Sequence, residues 1–256
     1  MSRALYAEWT KFRTVSGPAW LLVATVMLTV AVGAATASAA RCASAACGID
    51  PAKVTFTGLY LGQALTAILG VLIIGNEYST GMVRVSLVAV PRRLHLFAAK
   101  ALLLTGEALV ASALAVSLSA AFGLAFLPGH GFTAADGYAS LTSGTDLRAA
   151  VGATLYLTLI ALLSMGIATA VRDSGTAIGL VLGLLFLFPI IAGLTPDATI
   201  KRHLEQIGPL TAGLDAQSTI GIRSLALTPW QGLGVVALWA AAALLLGAAT
   251  LRLRDA

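Results

Sequence analysis

The residues best suited to chemistry stand in one polar stretch, NEYSTGMVRVSLVAVPRRLHLFAAK, at positions 76–100. It contains the carboxylate Glu77 and a compact basic cluster, and long apolar runs lie on both sides. The basic members are Arg84, Arg92, Arg93, His95 and Lys100. Charges grouped in this way can pair with a partner protein or with anionic lipid.

Two further polar residues, Glu107 and Gln63, fall inside apolar runs. An ionisable side chain within a membrane is costly, so it usually has a function or a partner on a neighbouring helix. Glu107 follows Lys100 by seven residues, which on a helix places it on the same face, about 10 Å further along. We expect Glu107 to couple to a cation or hydrate a pathway, or else to be satisfied by a neighbouring helix or the interface. The same alternatives apply to Gln63.

Recognisable catalytic motifs are missing from the sequence. None of the four lysines completes a glycine-rich phosphate loop, and the three histidines belong to no HExxH or Cys/His cluster. No apolar run offers the Ser with His, or the carboxylate pair, of an intramembrane hydrolase. We therefore predict no catalytic, cofactor-binding or metal-binding residue, and an enzyme that acts on lipid is disfavoured.

Long apolar segments must position these residues. Of the 256 residues, 58% are hydrophobic and 11% charged, which excludes a water-soluble globular domain. A hydrocarbon core about 30 Å thick requires about 20 apolar residues in a helix, and backbone groups in lipid must bond within their own segment. We predict one transmembrane domain over 1–256 with helical spans at 19–40, 56–75, 101–127, 149–171, 176–194 and 230–251.

The distribution of charge predicts the topology. With both termini inside, the inner segments hold ten of the sixteen Lys and Arg residues against four carboxylates, whereas the outer segments hold six of each sign. This bias follows the positive-inside rule. We therefore expect a multi-pass protein of the cell membrane with cytoplasmic termini. Topology and contact with membrane lipid explain the basic charge, so no nucleic-acid partner is expected.

Three features of note lie at the end of the first predicted span and in the predicted outer loops. Cys42 and Cys47 in the first loop can form a disulfide in an oxidising compartment, or stand as two unpaired thiols. The run before them ends in ATASAA, similar to a signal-peptide cleavage site, but its length of about 20 residues favours a retained span. Between the last two spans we predict a short helix in IKRHLEQIGPL that caps the outward end of a pathway.

Glycine spacing predicts close helix contacts. Gly175, Gly179 and Gly183 make two GxxxG steps in the fifth predicted span, and Gly58 with Gly62 makes one near the second. Such faces let helices approach closely. The contact lies either within one chain or between two copies, and the sequence leaves both open.

The polar stretch resembles a motif of the permease subunits of type-2 ABC exporters, in particular the compact actinobacterial kind with six spans. There the second span runs into E-[YF]-x-x-G-[TM]-x-[RK]-x-x-L, then Pro with adjacent Arg, and a Lys opens the third span. The leader LYAEWTKFRTV is similar to that family's amphipathic entry helix, and IGPLTAGLDAQ to a motif before its last span. Matching positions are Glu77, Tyr78, Gly81, Met82, Arg84, Leu87, Pro91, Arg92, Arg93 and Lys100.

The resemblance implies a role for the stretch. It would include a cytoplasmic coupling helix between spans two and three that docks on a separate ATP-binding subunit, which would hold ATP and Mg²⁺. Gly81 would allow close contact there, or alternatively let the short helix pack on the span ends. The implied coupling residues are Glu77, Tyr78, Gly81, Met82, Arg84, Pro91, Arg92 and Arg93.

We therefore expect an all-α integral membrane protein with an N-terminal amphipathic helix, six spans and a coupling helix. Its expected function is to move an amphipathic solute outward as the permease subunit of an ATP-driven exporter, with a second copy or a related permease. ATP hydrolysis is expected on the partner chain. The alternative is an ATP-independent channel or secondary carrier that uses Glu107.

Overall fold

Helices make up the regular structure of this protein. The computed structural model describes residues 6, 8–10, 14, 16–42, 48–82, 93–132 and 144–253. Six helices in these ranges are long and apolar enough to cross a membrane, and no strand occurs in them. The prediction of an all-α, multi-pass membrane protein is therefore confirmed.

The six long helices alternate in direction, with shorter helices between some of them. The long ones are α1 (Ser16–Ala39), α3 (Leu59–Ser79), α4 (Arg93–Phe126), α5 (Gly144–Val171), α6 (Ser174–Leu194) and α9 (Pro229–Leu253). The short ones are α2 (Pro51–Thr55), α7 (Ala198–Ile207) and α8 (Pro209–Leu214). We call the end where α4 begins and α9 finishes the terminal end, and the end that carries α2, α7 and α8 the loop end.

The largest difference from the predicted spans is the start of α4, which begins at Arg93 rather than at 101. With 34 residues, α4 is about 50 Å long, so it extends well beyond a hydrocarbon core of about 30 Å. Its polar first turns are satisfied by other parts of the chain: Arg93 Nη1 donates to the Leu251 carbonyl at 3.1 Å, and Lys100 is ion-paired. Hydropathy alone therefore placed the start too late.

Helix α5 is the centre of the bundle, where it packs against α3, α4, α6 and α9. Glycines bring these helices close together. A Cβ on Gly70 of α3 would lie 2.3 Å from the Ala161 carbonyl oxygen of α5, and one on Gly166 of α5 would lie 2.5 Å from the Ala243 carbonyl carbon of α9. Close backbone approach of this kind is typical of helix contacts in membranes.

The two predicted GxxxG faces differ in what they contact. A Cβ on Gly58 would lie 1.9 Å from the Thr29 carbonyl oxygen, and one on Gly62 would lie 2.2 Å from Thr29 Oγ1, so this pair packs against α1 within the chain. In α6, Gly179 and Gly183 are exposed, and no described atom lies within 4 Å of a Cβ there. A Cβ on Gly175 would lie 3.6 Å from Oδ1 of the nearby Asp173. The α6 face is therefore open.

Asp50 joins the first and last loops at the loop end. Its carboxylate accepts a hydrogen bond from Ala52 N at 3.0 Å, which caps α2. It also accepts hydrogen bonds from Thr219 N and Oγ1, both at 2.6 Å, and from Ile220 N at 3.0 Å. Cys42 on the same end is disulfide-bonded, and Cys47 lies outside the described residues.

The leader and the last long loop agree with the helices predicted for them at the positions described. Tyr6, Glu8, Trp9, Thr10 and Thr14 are helical, whereas Leu5, Lys11, Phe12 and Arg13 lie outside the described residues. Helix α7 covers most of the predicted helix in IKRHLEQIGPL. That α7 caps a transport pathway stays a prediction.

We predict that Gly70→Ala destabilises the protein by about 1–3 kcal/mol, because the new methyl group overlaps the Ala161 carbonyl and forces α3 from α5. Thermal unfolding of the purified protein in detergent measures the change. Gly106→Ala is the matched control: Gly106 lies in α4 with no described atom within 4 Å of a Cβ, so higher helix propensity should leave stability equal or raised. Equal loss in both variants would contradict the close α3–α5 contact.

Candidate functional site

Lys100 forms ion pairs with two carboxylates at the terminal end. Its Nζ lies 2.6 Å from Glu8 Oε2 and 2.8 Å from Glu77 Oε1. The Lys100 side chain is 3% exposed and each carboxylate side chain is 10% exposed. We call these three residues the terminal triad. It joins the leader, the last turns of α3 and the second turn of α4.

Burial makes this arrangement costly to disturb. A buried ammonium is tolerated when it is paired and hydrogen-bonded, and Lys100 donates to both carboxylates. Removal of Lys100 deprives both carboxylates of a cation that is buried with them. The triad is therefore a fixed joint between three chain segments, and not a pair of solvated surface charges.

Two arginines extend this joint to α9. Arg172, which follows α5, donates from Nη2 to the Thr250 carbonyl at 3.1 Å, while Arg93 donates to Leu251. Both acceptors lie in the last turns of α9, where carbonyls lack helical partners and favour cations. The Arg172 guanidinium also lies 5.9 Å from the ring centre of Tyr78, within the range of a cation–π contact.

A cavity of about 380 Å³ opens beside the terminal triad. Glu107 lies in its wall, on the same face of α4 as Lys100, as the helical spacing predicts. The Glu107 Oε2 atom is buried and has no hydrogen-bond partner among the described residues. The wall is formed by Glu8, Pro18, Leu72, Ile73, Asn76, Glu77, Thr80, Met82, Lys100, Leu103 and Glu107. A carboxylate in this setting can bind a proton or a cation.

Residues 77–82 are the part of the predicted coupling segment that the structure describes continuously with α3. Helix α3 continues through Glu77 and Tyr78 to Ser79, and Gly81 then adopts a left-handed φ of +70° that ends it. The glycine is explained by this backbone conformation and not by close packing, because no described atom lies within 4 Å of a Cβ there. Glu77 is 8% exposed, and its carboxylate pairs with Lys100 within the chain.

The remaining predicted coupling residues are divided between the described and undescribed parts of the chain. Met82 is 46% exposed, and Arg93 is half-buried against α9. Arg84, Leu87, Pro91 and Arg92 lie outside the described residues. An exposed surface at the terminal end therefore begins where α3 ends.

Gln63, the other predicted polar residue of the spans, is completely buried in the bundle. It accepts a hydrogen bond from the Tyr156 hydroxyl of α5 and donates to the Tyr60 carbonyl at 3.2 Å. Both ends of its amide are thus occupied by protein. This is the alternative in which a neighbouring helix satisfies the polar side chain, and it gives Gln63 a packing role.

No pattern in the sequence indicates the ion pairs of the triad. Glu8 and Lys100 are 92 positions apart, and Glu77 and Lys100 are 23 apart. All three belong to the motifs that carry the family resemblance, but that resemblance assigned Glu77 to an interface.

Comparison with models of known protein families gives no match, and comparison with curated protein sequences gives none.

We predict that Lys100→Gln lowers the free energy of unfolding by about 3–5 kcal/mol, because Glu8 and Glu77 both lose the buried ammonium that pairs with them. Adding Glu8→Gln and Glu77→Gln should restore most of the loss, since no buried charge then remains in the triad. Thermal unfolding in detergent distinguishes these variants. Lys201→Gln, which removes an exposed lysine at the loop end, should have little effect. A triple variant no more stable than Lys100→Gln would show that the charges are not the cause.

Proposed function

We propose that this chain is the membrane subunit of an ATP-driven exporter of the type-2 ABC kind. A separate ATP-binding subunit docks at the terminal end, which faces the cytoplasm, and supplies the energy of ATP hydrolysis. The membrane subunit moves an amphipathic solute outward. The six spans, the charge distribution and the order of the sequence motifs support this proposal.

The observation that carries the proposal is the terminal triad. Helix α3 ends at Ser79 and α4 begins at Arg93, and Lys100 links both helices to the leader. A force applied to residues 80–92 is thereby transmitted to three segments together. A coupling element requires such a rigid attachment, because a loose joint would dissipate the movement of the ATPase.

The chemistry of residues 79–92 fits a docking surface. Ser79, Thr80 and Met82 are exposed at the beginning of this segment, and a central apolar contact such as Met82 is typical of interfaces. The sequence adds Arg84, Arg92 and Arg93, whose charge complements an acidic partner. Contact with anionic lipid explains the cations as well, so the experiment must distinguish the two.

The open glycine face of α6 fits a second permease copy, or a related permease, in the same exporter. Gly179 and Gly183 stand one helical turn apart with no described atom nearby. A helix from another subunit can approach such a face closely. The packed Gly58–Gly62 pair shows the same kind of contact satisfied within the chain.

We predict that the tagged chain retains a co-expressed candidate ATPase subunit during purification, and that Arg84→Glu or Met82→Glu lowers recovery of the ATPase at least about tenfold. The reason is charge repulsion or loss of an apolar contact at the interface. The matched control is Arg223→Glu, an equal charge reversal at an exposed position of the loop end. Gly81 is avoided, because its left-handed backbone would be strained by most side chains.

Equal recovery with Arg84→Glu, Met82→Glu and Arg223→Glu would contradict docking at the terminal end. The comparison is made only among variants that elute as single species and insert in similar amounts. Lipid anchoring alone predicts no retained ATPase subunit from any of them.

A second candidate function is favoured by Glu107, whose buried oxygen lacks a partner among the described residues. In this function the chain is an ATP-independent channel or secondary carrier. The carboxylate on α4 takes up a cation or proton from the cavity beside the terminal triad.

We predict that purified wild-type protein in liposomes, without any ATPase, does not transport protons or cations down an imposed gradient. A pH-sensitive dye inside the liposomes detects proton movement, and Glu107→Gln is the matched variant. Wild-type transport that Glu107→Gln abolishes would establish the carrier function and overturn the exporter.

A further inference from the structure

The loop end contains a cavity of about 610 Å³ that the proposed ATP coupling does not use. Its wall comes from α2, α3, α6, α7, α8 and the turn at Asp215–Gln217. Its volume lies in the range of small-molecule sites in proteins. The cavity is at the opposite end of the bundle from the terminal triad.

Two residues of this wall carry a side-chain hydrogen-bond acceptor that has no partner in the described chain. Gln217 is 3% exposed, and its Oε1 atom is buried without a hydrogen-bond partner among the described residues. Asp215, two residues earlier, lines the same cavity and is half-buried, and the described residues give its carboxylate no ion pair or hydrogen bond. An unmet buried acceptor is unfavourable, so a ligand that donates hydrogen bonds gains affinity here.

The charges of the wall favour a cation. Glu205 and Asp215 are acidic, and Lys53 is the single cation among the described lining residues. Asp50 is also in the wall, but its oxygens already accept the four hydrogen bonds that fix the loops. The free carboxylates therefore outnumber the cation.

The donor requirement selects the type of cation. A quaternary ammonium has charge but no N–H, whereas a primary ammonium has three donors. A metal ion is a poorer fit, because the described residues contain no group of three His, Cys, Asp or Glu side chains with metal-binding geometry. We propose that the loop-end cavity binds a primary ammonium group through the Asp215 carboxylate and Gln217 Oε1.

The environment of Asp215 gives the site a pH dependence. Burial raises the pKa of the Asp215 carboxyl to about 6, with Lys53 of α2 lowering it and Glu205 of α7 raising it. Tyr60 of α3 and Asp50 also face this cavity. A raised pKa means that the carboxyl becomes protonated, and loses its charge, as the pH falls through about 6. Ammonium binding should therefore weaken about tenfold between about pH 7.5 and about pH 5.

The test uses the wild-type chain in nanodiscs of phosphatidylcholine. Binding of radiolabelled ethanolamine is measured by scintillation proximity, with unlabelled ethanolamine or choline as competitor. The two competitors share charge and hydroxyl and differ in the N–H donors. We expect ethanolamine to bind and choline to compete at least about tenfold less well. Absence of ethanolamine binding, or equal competition by choline, would overturn the proposal.

Substitutions test whether Asp215 and Gln217 accept the hydrogen bonds of the ammonium group. Asp215→Asn and Gln217→Leu should each weaken ethanolamine binding at least about tenfold. The matched control is Asp197→Asn, which makes the same change at the loop end outside the cavity, and which preserves a side-chain cap for α7. Equal loss in Asp215→Asn and Asp197→Asn would overturn the assignment. If Gln217→Leu does not fold, the choline comparison and Asp215→Asn still decide.

A second arm identifies where the ammonium comes from. Phosphatidylethanolamine carries the same group at the membrane surface, so nanodiscs that contain it are compared with those that lack it. Loss of free ethanolamine binding in phosphatidylethanolamine nanodiscs supports a lipid head group as the occupant, and unchanged binding supports a soluble amine. Both results support the ammonium site, and neither depends on the ATP-binding subunit.

Discussion

The terminal end of the bundle is held together by the ion pairs of the Lys100 ammonium group. One buried cation holds carboxylates from the leader and from α3 while it stands on α4. Separating these groups is unfavourable, because removing one charge takes away a partner of another charge in a poorly solvated environment. Arg93 and Arg172 then attach the last turns of α9 to the same end. Although most of the chain is apolar, polar contacts thus hold the helices together at the terminal end.

The two ends of the bundle use different chemistry. The terminal end relies on ion pairs between helices, and an exposed surface begins beyond them at Ser79. The loop end relies on a carboxylate, Asp50, that binds backbone N–H groups, and nearby the Gln217 Oε1 atom has no hydrogen-bond partner in the described chain. The first arrangement suits transmission of force, and the second suits binding of a small donor-rich cation. Helix α5 connects the two ends through the packed centre.

Apolar length was enough to predict the fold, since six segments of about 20 residues allow few other structures. It failed at the start of α4, where polar residues are satisfied by distant parts of the chain. The ion pairs of the triad could not be predicted from the sequence, because no regular spacing relates Glu8 to Lys100. The role expected for Glu77 followed a motif resemblance, and burial assigns that carboxylate to the interior instead. For Gly81 the sequence suggested close contact or packing, whereas the structure shows a left-handed φ, which spacing does not indicate.

Hydrogen exchange of backbone amides, measured by mass spectrometry on wild-type and Lys100→Gln protein in nanodiscs, shows whether Lys100 holds the three segments together. If the triad is one joint, exchange should increase together in the leader, the last turns of α3 and the first turns of α4, while α7 is unchanged. Lys201→Gln should change none of the three. An increase confined to α4, or none at all, would contradict the account, because the three segments would then be held independently of Lys100.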